Sequence, residues 1–121
     1  MEHNTPTLPQ LFKALGDEIR LVALLLIVDQ DEICVCELMT ALDEDSQPKV
    51  SRHLAQLKKM GILQDRKHKQ WVFYSISPRC PNWLSDLLKA QLLIQSDFLQ
   101  PFKTKLLAMG ERPQRTENCC I

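Results

Sequence analysis

Two groups of side chains in this chain of 121 residues have the types and spacing to do chemistry. The first is Cys34 and Cys36, separated only by Val35. On a regular helix two such positions diverge by about 200°, whereas in extended backbone they face the same way, about 6.6 Å apart along the strand. Gripping one ion with both thiolates therefore needs non-helical backbone. Two thiolates select soft, thiophilic ions, and with no His or further Cys nearby a closed four-ligand zinc site is disfavoured. Trivalent arsenic or antimony, content with few sulfur ligands, fits the pair better. The competing reading is two small apolar residues packed at the edge of a core.

The second group lies between Gln47 and Met60. At about 100° per residue, Val50, Leu54 and Leu57 share one stripe of a helix, while Lys49, Arg52, His53 and Gln56 share another about 110° away. One stripe packs and the other faces outward. That gathers donors for base edges and phosphates near the N-terminal half of the helix, the half that enters a major groove in a helix-turn-helix. Gln47 and Arg52 are the candidates for base contacts; Lys49, Ser51, Lys58 and Lys59 suit phosphates, which position without specifying sequence. His53 reads equally as a DNA contact or a surface histidine. Arg66, Lys67 and Lys69 would add phosphate or minor-groove contacts from a following hairpin. A solvated helix face is the bland alternative to all of this.

The elements that must position these groups follow from periodicity and caps. Pro9 to Leu15 reads as a first helix ended by Gly16. Asp17 caps a second, whose Ile19 to Val28 stretch is apolar on nearly every face, as in a helix at the centre of a bundle. Ile33 to Cys36 reads either as a short strand or as the entry to a third helix through Leu42. After Asp43-Glu44-Asp45, Ser46 is a good N-cap, and Pro48 is tolerated in the first turn of a helix that reaches Met60 and stops at Gly61. Ile62 to Arg66 and Trp71 to Ile76 read as strands joined by a basic tip, Lys67 to Gln70. Because the tip lacks glycine, its turn type is open. A long helical pattern from Asn82 to Leu99 is then broken or kinked by Pro101, and a shorter segment runs to Met109.

Two short helices, a tight connector and a hairpin are the element order of a winged helix-turn-helix, mainly α with a small β-hairpin. The expected organisation is one domain over residues 1–109, with the helix-turn-helix at about 34–60, the wing at about 62–76 and a long helix with an apolar face at about 82–99, then a flexible tail, 110–121. The length suits one core.

Equal numbers of Lys plus Arg and Asp plus Glu, 15 each, hide a segregation of charge. Residues 1–45 hold ten acids against Lys13 and Arg20, while residues 46–70 hold seven bases against Asp65. Such a basic block suits a polyanion. The longest apolar run, Leu21 to Val28, is too short to span a bilayer, and Met1-Glu2-His3-Asn4 does not start a secretory signal, so the expected location is the cytoplasm. Five cysteines in that reducing compartment point to soft-metal or redox chemistry rather than a disulfide framework. No cysteine sits in a phosphate-cradling glycine-rich loop, so no enzyme is expected.

Glu32-Ile33-Cys34-Val35-Cys36-Glu37-Leu38, Ser46-Gln47-Pro48-Lys49-Val50-Ser51-Arg52-His53-Leu54, Trp71-Val72-Phe73-Tyr74 and Ser77-Pro78 together closely resemble the ArsR family of arsenic-responsive repressors, over about Leu8 to Trp83. The resemblance implies a homodimer on double-stranded operator DNA, no resident cofactor, and arsenite or antimonite as inducer at Cys34 and Cys36, controlling the repressor's own resistance operon. It also implies that the terminal helices build the dimer. One departure is Met39, where relatives with this motif often carry a third cysteine. The third ligand is left open among Met39, Cys80, Cys119, Cys120 and an exogenous donor. Cys80 reads as structural. The rival reading is a redox-sensing regulator in which Cys34 and Cys36, or Cys119 and Cys120, form a disulfide.

Overall fold

Thr7 opens the first helix by a capping box: its hydroxyl accepts from the Gln10 N–H while the Gln10 side chain accepts from the Thr7 N–H. The computed structural model describes residues 5–111 and 115. In it α1 spans Leu8–Leu15, and α2, capped by Asp17, spans Glu18–Gln30. The segment left ambiguous by its sequence is both things at once, a two-residue strand β1, Ile33–Cys34, running straight into α3, Val35–Leu42. Asp43, in left-handed backbone at φ 56°, turns the chain toward α4, Gln47–Lys59, which Ser46 caps. At its far end Gly61 (φ 81°) permits a paired closure, Gly61 N–H to the Lys58 carbonyl and Ile62 N–H to the Leu57 carbonyl.

The hairpin is β2, Leu63–His68, and β3, Trp71–Ile76. The turn is tighter than the sequence suggested, since Lys67 and His68 belong to the strand and only Lys69 and Gln70 connect. Lys69 itself takes the left-handed conformation (φ 57°) that a glycine would otherwise supply. All three strands form one antiparallel sheet in the order β1-β3-β2. Ile33 lies opposite Tyr74 and Cys34 opposite Phe73. The cysteine pair is thus joined to the wing by a shared sheet.

The long C-terminal helix is two helices, α5 (Asn82–Ile94) and α6 (Ser96–Leu107), divided at Gln95. Pro101 does not break the chain; it sits inside α6, where its ring forfeits only the bond to the Asp97 carbonyl. The bend at Gln95, φ −112° and ψ 35°, lets Leu99 and Leu106 bury their side chains with α6 packed on α3. No helix among the described residues is long and apolar enough to cross a membrane.

Val22 to Ile27 of α2 are buried on every face and form the axis on which α1, α4, α5 and α6 pack. Val50, Leu54 and Leu57 enter that core from α4, all fully buried, as their shared stripe requires. Each such side chain stabilises the fold by about 1.5–3 kcal/mol relative to exposure. Cys34, Trp71 and Phe73, with Cys36 against them, form a second, separate cluster. α4 stands on the large core, and Cys34 and Cys36 stand on the small one.

Candidate thiol clasp and nucleic-acid interface

Cys34 is the last residue of β1 and the N-cap of α3, with extended backbone (φ −97°, ψ 167°), while Cys36 is already helical. The mixed geometry folds the N-cap side chain back over the first turn and sets the two sulfurs 3.8 Å apart. That separation is shorter than either regular geometry would give: a strand would hold them wider and a helix would turn them away. Cys34 and Cys80 are free thiols and Cys36 is disulfide-bonded, so the clasp itself is not a disulfide.

Cys34 is buried against Trp71 and Phe73, whereas Cys36 reaches a groove of about 650 Å³ that it shares with Met39, Thr40, Asp43, Glu44 and Asp45. Burial pushes the Cys34 thiol up from 9.0 to about 11, and the carboxylate of Glu37 adds to the rise. Glu37, fully buried, accepts the Cys34 N–H at 2.9 Å and the Arg115 Nε–H at 2.6 Å. The Ser-x-x-Glu spacing of a capping box, with sulfur in place of the hydroxyl, was a signal for Glu37 that sequence reasoning passed over. Arg115 had no such signal; it was assigned to a frayed tail and is buried.

Among the described residues no set of three or more His, Cys, Asp and Glu could hold a metal ion. A closed zinc centre therefore has no donors there. Cys80 is packed in the large core, and its thiol is directed at the Pro81 carbonyl at 3.7 Å. It is not brought to the clasp. Met39 is, through the shared groove; Cys119 and Cys120 lie outside the described residues.

On α4, Gln47, Lys49, Arg52 and Gln56 are exposed and Ser51 is half-buried. His53 departs from the expected face. Its Nδ1 accepts from Arg20 at 3.3 Å, and Arg20 Nε donates to the Ala14 carbonyl, so the ring ties α4 back to α1 and α2. Lys49 pairs with Glu44 at 3.3 Å. The Ser46 N–H and then Lys49 hold that carboxyl below the usual range. Lys58 pairs with Asp65 at 3.1 Å and braces the end of α4 on the wing.

Of the hairpin cations, Arg66 is a strut rather than an open donor: it pairs with Glu32 and lies 4.9 Å above the Phe73 ring. Among the described residues of α4 and the hairpin, Arg52, Lys59, Lys67 and Lys69 have no acidic partner and are exposed. Sequence reasoning missed the Glu32–Arg66 strut because its halves are 34 residues apart.

Residues 17–65 match the model of a family described as bacterial regulatory protein, arsR family. The arsenic resistance transcriptional regulator ArsR2 of Pseudomonas putida is 48% identical over 114 residues, covering 94% of this chain and 98% of that protein. The arsenical resistance operon repressor of Escherichia coli is 53% identical over 79 residues, 65% of this chain and 67% of that one. Among solved structures, HlyU from Vibrio cholerae superposes with a TM-score of 0.61 at 32% identity, covering 71% of this chain and 88% of its own.

Proposed function

This chain belongs to the arsR family of bacterial regulatory proteins, and from that premise we propose that it represses an arsenic resistance operon and lets go of it when its cysteine clasp is filled. A homodimer in the cytoplasm presents two α4 helices to double-stranded operator DNA, with Gln47 and Arg52 on base edges and Lys49, Ser51, Gln56, Lys67 and Lys69 on or near the backbone. Leu8 and Phe12 of α1 and Trp83, Leu93 and Ile94 of α5 leave an apolar surface exposed, with Phe12 and Trp83 rings 5.8 Å apart. A second copy is its occupant, which spaces the two reading helices. Trivalent arsenic or antimony takes Cys34 and Cys36. Once a cellular dithiol has reduced the disulfide at Cys36, each thiol proton departs with an arsenic hydroxide as water, so a thiol kept protonated by burial is no obstacle to capture.

The observation that carries this reading is the 3.8 Å sulfur pair placed where the wing sheet becomes the first motif helix. Closing two sulfurs on one ion pulls on Cys34, which pairs with Phe73, which lies under Arg66 of the wing. Occupancy thereby disfavours the wing position that fits duplex. A coupling of about 1–3 kcal/mol, roughly 5- to 150-fold in affinity, is the usual size of such linkage. In a gel-shift titration of the reduced protein, Cys34→Ser keeps operator binding and loses release by arsenite. Release at the wild-type arsenite concentration would remove the clasp from the account.

The disulfide at Cys36 favours one rival, a redox sensor. It predicts that peroxide alone empties the operator and that a Cys36→Ser chain ignores peroxide; the arsenic reading predicts bound operator until arsenite is added.

A further inference from the structure

The outer stripe of α4 does not end at the reading residues. At about 100° per residue, Lys59 and Met60 continue the line of Lys49, Arg52, His53 and Gln56 by one further turn. There the stripe runs into a cleft of about 500 Å³ between α1, the start of α2 and the end of α4. Lys13, Arg20 and Lys59 line it together with the amides of Gln10 and Gln56, and no acidic side chain does so among the described residues. None of the three cations has an acidic partner among those residues either.

Arg20 is the fixed part of this cleft. Its Nε–H donates to the Ala14 carbonyl at 3.0 Å and its Nη1 to His53 Nδ1 at 3.3 Å, so groups on α1 and α4 hold the guanidinium in place. A guanidinium carries five N–H donors, and these two bonds leave Nη2 unspent. A planar fork held rigid in a wall that also carries two lysines matches a tetrahedral oxyanion, which takes charge-assisted bonds from each. Lys13 and Lys59 also stand in the last turns of α1 and α4, where a cation offsets the carbonyl end of a helix. That role needs neither a cleft shared by both lysines nor a fixed guanidinium in its wall.

We propose that the cleft is a phosphate seat, in which Lys13, Arg20 and Lys59 together hold one backbone phosphate of the duplex that α4 reads. This rests on the operator reading above and extends its contact surface from the helix-turn-helix to α1. Seven residues separate Arg52 from Lys59, about 10 Å along the helix axis, comparable with the roughly 12 Å width of a major groove. A helix whose first turns meet base edges therefore brings its last turn to a strand that borders the groove. A phosphate held there positions the protein without reading sequence. Lys13 adjoins Phe12, part of the apolar surface assigned to the second copy, so α1 touches both the partner and the duplex. Free inorganic phosphate offers the same chemistry; the continuity of the stripe favours the duplex.

Anisotropy titrations of the full chain, reduced, on operator and on unrelated duplex over a range of salt concentrations test this with Lys13→Gln/Lys59→Gln, two exposed positions whose change spares the core. The expected result is a salt slope lowered by about one, the share of a single phosphate, with both duplexes weakened alike. Adding Arg20→Gln is expected to lower it no further, since all three hold one group. A fall of about two would mean two separate phosphates and no common seat. A second arm titrates inorganic phosphate into the DNA-free protein and follows the Arg20 Nε–H resonance. An unmoved slope with an unmoved resonance, the melting temperature alone being lower, would return both lysines to their helix ends and overturn the seat. An unmoved slope with a shifted resonance would overturn the duplex as the source and leave a free oxyanion. A wild type that binds no duplex at all would instead overturn the operator reading.

Discussion

Two helix starts, only a connector apart, divide the work of this molecule, and they are built oppositely. α4 begins at Ser46, whose hydroxyl caps the Lys49 N–H; its first turns are exposed and cationic, and its inner stripe is sunk in the large core. α3 begins at Cys34, where sulfur stands in for the capping hydroxyl, a fully buried carboxylate holds the backbone, and the support is a small cluster with two aromatic rings. Serine is among the strongest N-caps and cysteine is not. A strong cap on a large core gives α4 a start that keeps its shape. The weaker cap on a small cluster is the one the proposed clasp would remake with little cost to the rest of the fold.

The largest test of that contrast is mechanical. Leu54→Ala, opening a void in the large core beneath α4, is expected to destabilise the protein by about 2–5 kcal/mol in denaturant unfolding, while Cys34→Ala costs about 1 kcal/mol. Equal losses would erase the distinction between the two supports. Next in size, Arg52→Ala is expected to weaken operator binding by about 1–3 kcal/mol and to relax preference at one base position, whereas Lys69→Ala weakens all sequences alike and lowers the salt slope by about one, both read in salt-dependent anisotropy titrations. An Arg52 variant that loses affinity without losing preference would demote that residue to a phosphate contact.

A smaller effect separates stability from signalling. Glu32→Gln removes the ion pair to Arg66, an exposed contact expected to change stability by less than about 1 kcal/mol. Its consequence should appear in coupling: the operator affinities of arsenite-treated and untreated protein move closer together. If they stay as far apart as in the wild type, the strut carries no signal from clasp to wing.

The smallest test concerns the thiol. Because burial raises the Cys34 pKa from 9.0 to about 11, its thiolate fraction at neutral pH is small, and its alkylation rate should climb about tenfold per pH unit until about pH 11. The folded state holds this proton more tightly than the unfolded chain. The stability that follows is complete below pH 9.0 and lost as pH rises toward about 11, which a pH series of unfolding curves would show. A plateau near pH 9 would mean that Cys34 is not buried as described.

The large-core half of this comparison could be read before any coordinates. A stripe at helical spacing with Ser46 before it and Gly61 after it needs only local rules, and α4 lies where they put it. The pair spacing of Cys34 and Cys36 likewise demanded non-helical backbone, and Cys34 has it. What escaped were pairings between distant segments: His53 turned to Arg20, Arg66 taken by Glu32, and Glu37 met by Arg115. In the sequence His53 reads as a DNA contact or a surface group and Arg66 as a DNA contact, and nothing joins Glu37 to Arg115, because a charge reveals nothing about a partner tens of residues away. Pro101 misled for another reason. A proline forbids one hydrogen bond, and a helix tolerates that where packing of Leu99 and Leu106 holds both sides.

Hydrogen exchange on the arsenite-loaded and arsenite-free reduced protein tests most directly whether the clasp speaks to the wing. Loading is expected to change protection at the amides where β1 meets β3, around Cys34, Phe73 and Tyr74, and to leave the α4 amides from Val50 to Leu57 as they were. Operator release with the β1 and β3 amides unmoved, or with α4 alone loosened, would contradict it.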